Sequence, residues 1–156
     1  MIFAMWIYGL FFASKESVNK FGDRRWAQNA QTRCLVAAQQ RLGLADYRLV
    51  DELGVDALRQ RAVIVDKATD TLASFVNEFR LTLPTDAKGI ELVGRWLEDY
   101  ETYISDRRSF AEDLRNGLNL QFSETPLKGL PLSEKIATFA ADNEMSNCRP
   151  PRDLSI

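Results

Sequence analysis

The longest amphipathic pattern in the chain, between residues 56 and 83, constrains the fold most strongly. Apolar or small side chains recur there at steps of three or four over about seven turns. They are Leu58, Ala62, Val65, Thr69, Leu72, Val76, Phe79 and Leu83. This spacing predicts a long helix with one buried face. Pro84 is expected to end it, because a proline disfavours the helical conformation of the residue before it.

Two further segments show the same helical spacing. The first covers residues 23–42 and stops at Gly43; its core-facing stripe is Ala30, Cys34, Ala37, Ala38 and Leu42. The second follows a turn at residues 84–88, with Thr85 or Asp86 as its N-cap, and stops at Asn116 and Gly117. Its buried face is predicted to hold Ile90, Val93, Leu97, Tyr100, Ile104, Ala111, Leu114 and Leu118.

The C-terminal part is predicted to contain a loop or short hairpin at residues 118–131, then a short helix. Leu118, Leu120 and Phe122 would cover one end of the domain. The helix is expected to begin at an N-cap, Ser133, and to run to about Asn143. Short connections favour antiparallel neighbours. The expected fold is therefore all-α, a small antiparallel bundle of three long helices and one short C-terminal helix.

The first 14 residues, MIFAMWIYGLFFAS, carry no charged side chain, and residues 2–13 are apolar throughout. A membrane-spanning helix needs about 20 apolar residues, so the run is short. A cleaved signal or a packed helix are alternatives, but Phe11 and Phe12 do not suit a signal-peptidase site. We expect an apolar membrane anchor at 1–14, a juxtamembrane stalk at 15–22 and the helical domain at 23–156.

Charge and cysteine content give opposite indications of orientation. Lys15, Lys20, Arg24 and Arg25 follow the apolar run, which by the positive-inside rule places the domain in the cytoplasm. Such residues either contact anionic headgroups or form a solvated stalk. The two cysteines favour an oxidising compartment instead. The predicted location is the cell membrane, single-pass, with an extracytoplasmic domain.

The two cysteines, Cys34 and Cys148, are expected to form a disulfide that fastens the C-terminal tail to the first helix. Closing a loop of this length stabilises a fold by about 4–5 kcal/mol in the chain-entropy model. Two unconnected buried thiols are the alternative. Redox or metal chemistry is disfavoured, because the chain has no CxxC spacing and no histidine.

Composition excludes several classes of function. The chain has 156 residues, a formal net charge of −2 and no histidine. The acidic balance argues against nucleic-acid binding. The missing histidine removes the common nucleophile–histidine and zinc arrangements, and no phosphate-binding glycine loop occurs. We therefore expect no catalytic residues, no cofactor and no metal.

One helical segment, WLEDYETYISDRRSF, concentrates the chemically versatile side chains. Trp96, Tyr100, Tyr103 and Arg107 lie along one ridge, and Phe110 lies beside it. The candidate ligand or partner surface consists of Trp96, Asp99, Tyr100, Tyr103, Asp106 and Arg107. Ordinary packing, with Arg95–Asp99 and Tyr103–Arg107 as neighbours one turn apart, accounts for nearly all of this segment, and the ligand or partner surface is the alternative.

Two motifs carry a resemblance to a known group of proteins. A helix of the pattern WxxDYxxYxxDR holds Trp96, Asp99, Tyr100, Tyr103, Asp106 and Arg107. A tail of the pattern FAxxNxMxxCxPPxD holds Phe139, Ala140, Asn143, Met145, Cys148, Pro150, Pro151 and Asp153. From about Trp26 onwards the chain resembles bacterial envelope proteins of the high-GC Gram-positive type, which have a transmembrane segment and no assigned activity. The resemblance implies an envelope location and a disulfide.

These observations favour a non-enzymatic, membrane-anchored domain that binds a protein or cell-envelope partner. A bundle that holds a small apolar or amphipathic molecule between its helices, near Trp96 and Tyr100, is the alternative.

Overall fold

The computed structural model describes residues 18–44 and 55–154. In these ranges the chain forms four α-helices: α1 (Arg24–Leu44), α2 (Val55–Leu81), α3 (Ala87–Arg115) and α4 (Leu132–Asp142). A two-stranded hairpin of β1 (Pro126–Leu127) and β2 (Leu130–Pro131) precedes α4, and a 3₁₀ turn, Ser146–Cys148, follows it. The predicted all-α bundle of three long helices and one short helix is confirmed.

The connection between α2 and α3 is a tight, hydrogen-bonded turn. Asp86 is the N-cap of α3, and its Oδ1 accepts the backbone N–H of Gly89 at 2.8 Å. A side chain at Gly89 would not fit, because its Cβ would lie 2.6 Å from Asp86 Oδ2 and 2.8 Å from Pro84 Cβ. This turn makes α2 and α3 antiparallel neighbours.

The start of α1 is fastened to the same turn by Asp23. Its carboxylate accepts the backbone N–H of Trp26 at 2.9 Å and both the N–H and the hydroxyl of Thr85, at 3.0 and 2.9 Å. These hydrogen bonds lower the pKa of Asp23, and the bond from the Trp26 N–H has the largest effect, ahead of those from Thr85. One acidic side chain therefore caps α1 and joins it to the α2–α3 turn.

The helix ends follow local backbone rules. Helix α3 stops at Asn116 as predicted, with Gly117 at φ +81°, and the N–H of Leu118 donates to Asp113 O at 2.9 Å. These are the bonds of a Schellman motif. Helix α4 ends in the same way, except that Glu144 takes the positive φ, at 61°.

The predicted N-cap of α4 is wrong. Ser133 is not the N-cap, since the helix begins at Leu132 after Pro131. The backbone N–H and the hydroxyl of Ser133 both donate to Glu124, at 2.6 and 2.8 Å. The hairpin folds Glu124 back to the positive end of the helix dipole, so the cap comes from a residue distant in sequence.

The core lies along the predicted helix faces and consists of a larger and a smaller cluster. Cys34, Leu72, Val93, Leu97, Ala111 and Leu114 are fully buried, and Ala30 is almost so. Phe21 belongs to the same core and stacks on Phe139 with ring centroids 6.0 Å apart. The packed domain therefore includes part of the predicted stalk.

Five apolar residues expected in the core are exposed instead: Leu42, Leu83, Ile90, Leu118 and Leu120. At the end of α1, Arg41 takes the position facing α2 and donates to Thr71 Oγ1 at 3.0 Å. The next residue, Leu42, is rotated away by about 100°. In the loop after α3, Phe122 alone of the three predicted covering side chains packs on the core.

The predicted anchor at 1–14 and the first part of the stalk lie outside the described residues. Among the helices at 18–44 and 55–154, none combines the length and apolar character that crossing a bilayer requires.

The two glycines of α3 give a matched test of the turn. Gly89→Ala is expected to lower the free energy of unfolding by about 1–3 kcal/mol, because the added methyl overlaps Asp86 and Pro84. Gly94→Ala, where nothing lies within 4 Å, should raise it by about 0.5–1 kcal/mol through helix propensity. Urea unfolding measures both. Equal effects of the two substitutions would contradict the close packing at Gly89.

Candidate functional site

The ridge of α3 binds the C-terminal segment of the same chain, one helical turn after another. The indole N–H of Trp96 donates to Ile136 O at 3.2 Å. Further along, the hydroxyl of Tyr100 donates to Cys148 O at 2.6 Å and that of Tyr103 to Pro151 O at 3.2 Å. Because these bonds go to backbone carbonyls, they fix the path of the tail along the helix.

Arg107 ends this row of contacts with a bidentate ion pair. Its Nη1 and Nη2 each lie 2.7 Å from an oxygen of Asp153, and its Nε donates to Thr69 Oγ1 at 2.9 Å. Burial of the guanidinium disfavours its charge, but the bonds to Asp153 outweigh that effect and raise the pKa of Arg107. The buried Arg107 therefore keeps its charge and joins α2, α3 and the tail.

The predicted disulfide is present. Cys34 on α1 and Cys148 in the tail are bonded across 114 positions of sequence, and both are buried. Beside it, Gln31 accepts the backbone N–H of Asn147 at 2.8 Å and donates to Ser146 Oγ at 3.1 Å. Leu154 then packs into a cluster with Val65, Phe110 and Leu114. The tail is thus held by covalent, polar and apolar contacts together.

The two carboxylates of the predicted surface, Asp99 and Asp106, bind residues of neighbouring elements. Asp99 forms an ion pair with Lys135 of α4 at 2.7 Å, and Asp106 accepts the N–H and hydroxyl of Thr125, at 2.7 and 3.0 Å. The predicted Arg95–Asp99 neighbour pair does not form, since Arg95 turns the other way and pairs with Glu91.

Aromatic rings fill the space around Trp96 and Tyr100. Their centroids lie 5.0 Å apart with perpendicular planes. Phe75 packs edge-on against Tyr100 at 5.1 Å, and Phe139 lies 5.3 Å from Trp96. Burial raises the pKa of Tyr100 well above its usual range, so its hydroxyl stays protonated and donates a hydrogen bond. These two residues are packed in the core.

An open groove lies on the outer side of the tail, between α4, the hairpin and residues 149–152. Its volume is about 470 Å³, within the usual range of ligand sites. Tyr103, Phe122 and Leu154 contribute apolar surface. On the α4 side the groove is lined by the small side chains of Ala137 and Ala141. Of the six predicted site residues, only Tyr103 lines this groove.

Charged side chains of both signs line the groove. Within 18–44 and 55–154, neither Arg149 nor Arg152 forms an ion pair. On the opposite side lie Glu134, in the first turn of α4, and Glu124. Both Glu124 oxygens already accept from Ser133. The groove therefore presents two unpaired guanidinium groups close to the surface.

Sequence reasoning missed the partners of the ridge. It singled out Arg107 without Asp153, although both belong to the motifs quoted above, and it did not give a role to Asn143. The buried Asn143 accepts the N–H of Phe21 at 3.2 Å and donates to Asn19 O at 3.0 Å. The opposite charges of Arg107 and Asp153, each within a quoted motif, were the signal from which the Arg107–Asp153 pair could have been predicted.

Among the residues that the structure describes, no cluster of three or more acidic or cysteine side chains could hold a metal ion. Comparisons with protein-family models, with curated proteins and with solved structures found no match.

The Arg107–Asp153 pair should contribute strongly to the stability of the tail, in addition to the disulfide. Asp153→Asn is expected to cost about 3–5 kcal/mol of unfolding free energy, because it leaves the buried Arg107 charge uncompensated. Glu91→Gln, which alters an exposed pair in the same chemical way, should cost less than about 1 kcal/mol. Urea unfolding compares the two. The double variant Arg107→Met/Asp153→Asn should recover part of the loss; full additivity would contradict direct coupling.

Proposed function

We propose that this chain is a membrane-anchored, extracytoplasmic, non-enzymatic domain that binds a protein or cell-envelope partner. The main support is the groove beside the tail. The ridge of α3 carries the aromatic and charged side chains best suited to binding a ligand, but it is covered by the chain's own tail. The groove is open and carries Arg149 and Arg152, which form no ion pair with any residue that the structure describes. We therefore assign partner binding to the groove and structural support to the ridge.

The chemistry of the groove favours binding over catalysis. A pair of carboxylates in one cleft could act as general acid and base. Here Glu124 and Glu134 both line the groove, but Glu124 has each oxygen engaged by Ser133. Arg149 and Arg152 are suited to pairing with acidic side chains of an extended partner segment. Pro150 and Pro151 stiffen the backbone between them, so the backbone positions of the two arginines keep a fixed spacing.

The disulfide supports the extracytoplasmic location, because such bonds persist mainly in oxidising compartments. A small amphipathic ligand remains the second candidate, and the volume of the groove favours it. Its place would be beside the tail, since Trp96 and Tyr100 are enclosed by other rings.

The compartment is tested by the redox state of the cysteines in cells. Cells that produce the protein are quenched in acid, denatured and treated with a thiol alkylating reagent before digestion without reductant. We expect mass spectrometry to find a peptide linking Cys34 to Cys148. Denaturation exposes both buried sulfurs, so free thiols would be labelled. Alkylation of both cysteines in most of the chains would contradict the extracytoplasmic location.

The groove is tested by photo-crosslinking in the same cells. Ala141 lies in the groove and is exposed, so a benzoylphenylalanine there should yield a discrete protein adduct. The adduct should weaken at least several-fold when Arg149 and Arg152 are both replaced by serine, because the ion pairs are lost. The same crosslinker at Gln60, exposed on α2 and outside the groove, is the matched control.

Two outcomes would contradict the protein-binding proposal. Equal adducts from positions 141 and 60 would show nonspecific contact. A small mass increase at position 141 without a protein adduct would favour the amphipathic ligand instead.

A further inference from the structure

One end of the bundle is defined by where the chain enters it after residue 17. Asp23 binds Thr85 through two hydrogen bonds, and the indole N–H of Trp26 donates to Thr82 O. The backbone N–H of Asp23 donates to Asp86 Oδ2 at 3.2 Å. These contacts place residues 18–26 and the α2–α3 turn at the same end, which we call the N-terminal end.

Exposed aliphatic side chains gather at this end. Leu81 is 87% exposed and Val18 85%, while Leu83 and Ile90 are 40% and 44% exposed. Leu81 and Leu83 flank Thr82, which holds Trp26, and Ile90 lies in the first turn of α3. Single exposed aliphatic residues are ordinary, but several at one end of a small domain point to a covered surface.

At the N-terminal end, several basic side chains have no ion-pair partner among the described residues, whereas the acidic side chains there have hydrogen-bond or ion-pair partners. Lys20, Arg25 and Lys88 form no ion pair within 18–44 and 55–154. Asp23 and Asp86 there accept backbone N–H groups, and Asp142 accepts a hydrogen bond from Asn19 Nδ2 at 3.0 Å.

Two further acids at this end are held in ion pairs. Glu144 pairs with Arg24 at 2.6 Å and Glu91 with Arg95 at 3.3 Å. At this end, Lys20, Arg25 and Lys88 are therefore the basic side chains without an ion-pair partner among the described residues, and exposed aliphatic side chains lie at the same end.

We infer that the N-terminal end docks on an anionic phospholipid surface, with Leu81, Leu83 and Ile90 at the headgroup boundary and Lys20, Arg25 and Lys88 pairing with phosphates. Aliphatic side chains below a basic rim are the arrangement by which soluble segments lie on membranes. This inference rests on the proposed membrane anchoring and adds the face that the domain turns toward the bilayer.

The position of this end in the chain selects lipid over a protein partner. The described chain begins at Val18, five residues after the apolar run at residues 2–13. An anchor in that run would hold the N-terminal end close to the membrane. The exposed leucines of the hairpin, Leu127 and Leu130, lie at the opposite end of α4, about 16 Å away along the helix axis.

Hydrogen–deuterium exchange of the full chain on vesicles tests this docking. The first backbone N–H groups of α3 have no partner within the helix, so residues 87 and 88 report contact sensitively. We expect exchange across 81–90 to slow by roughly tenfold on phosphatidylcholine–phosphatidylglycerol vesicles relative to detergent. Slowing should be weaker on phosphatidylcholine alone. Exchange across 118–130 should not change.

Matched variants identify the groups responsible. Leu81→Ser with Lys88→Glu removes an exposed aliphatic and an unpaired base at the N-terminal end. Leu130→Ser with Lys128→Glu makes the same changes at the hairpin. The first variant should lose most of the slowing across 81–90 and the second should retain it. All four side chains are on the surface, so both variants should fold.

The possible failures are distinguishable. A chain that floats with the vesicles but exchanges across 81–90 as it does in detergent overturns the docking and leaves the anchoring intact. A chain that does not float with vesicles of either composition overturns the anchoring and the docking together. Equal slowing across 81–90 and 118–130 overturns the assignment to the N-terminal end.

Discussion

The attachment of the C-terminal tail to α3 is the interaction on which the other features of this structure depend. The tail has little regular structure after α4 and could not hold a position through its own backbone bonds. It is fixed by the Cys34–Cys148 disulfide and by the bidentate Arg107–Asp153 pair. Two tyrosine hydroxyls bind its carbonyls between these points. A buried ion pair stabilises only when its remaining donors are also satisfied, and Thr69 supplies that acceptor.

Fixing the tail produces the groove. Residues 149–152 form one of its walls and α4 the other, so the groove exists only while the tail is attached. On the ridge of α3, the side-chain donors of Tyr100, Tyr103 and Arg107 are already used to bind the tail, so they are not available to a ligand. Tail attachment and the proposed partner binding therefore use adjacent surfaces, and a variant that loosens the tail is expected to disturb the groove as well.

The sequence predicted the positions of the helices better than the burial of the residues near their ends. The spacing of Leu72, Val76 and Phe79 and the stop at Asn116 depend on residues within a few positions, and the structure agrees with both. Ile90, in the first turn of α3, fits the same spacing but is exposed. Periodicity specifies the face of a helix on which a residue lies, whereas burial also requires a neighbouring element at that height. At the ends of a bundle such a neighbour is often absent.

The sequence alone determined the fold class, the turn between α2 and α3 and the expectation of a disulfide, because helix period, capping residues and cysteine content are local or compositional properties. The first helix runs through its expected stop at Gly43 to Leu44. The tertiary structure decided what the versatile residues of α3 do. Arg107 and Asp153 are 46 positions apart, and nothing local to either indicates that they meet. The bundle brings α3 and the tail side by side, so side chains suited to binding a ligand bind the chain itself. The groove and the N-terminal end are the surfaces that we propose for binding.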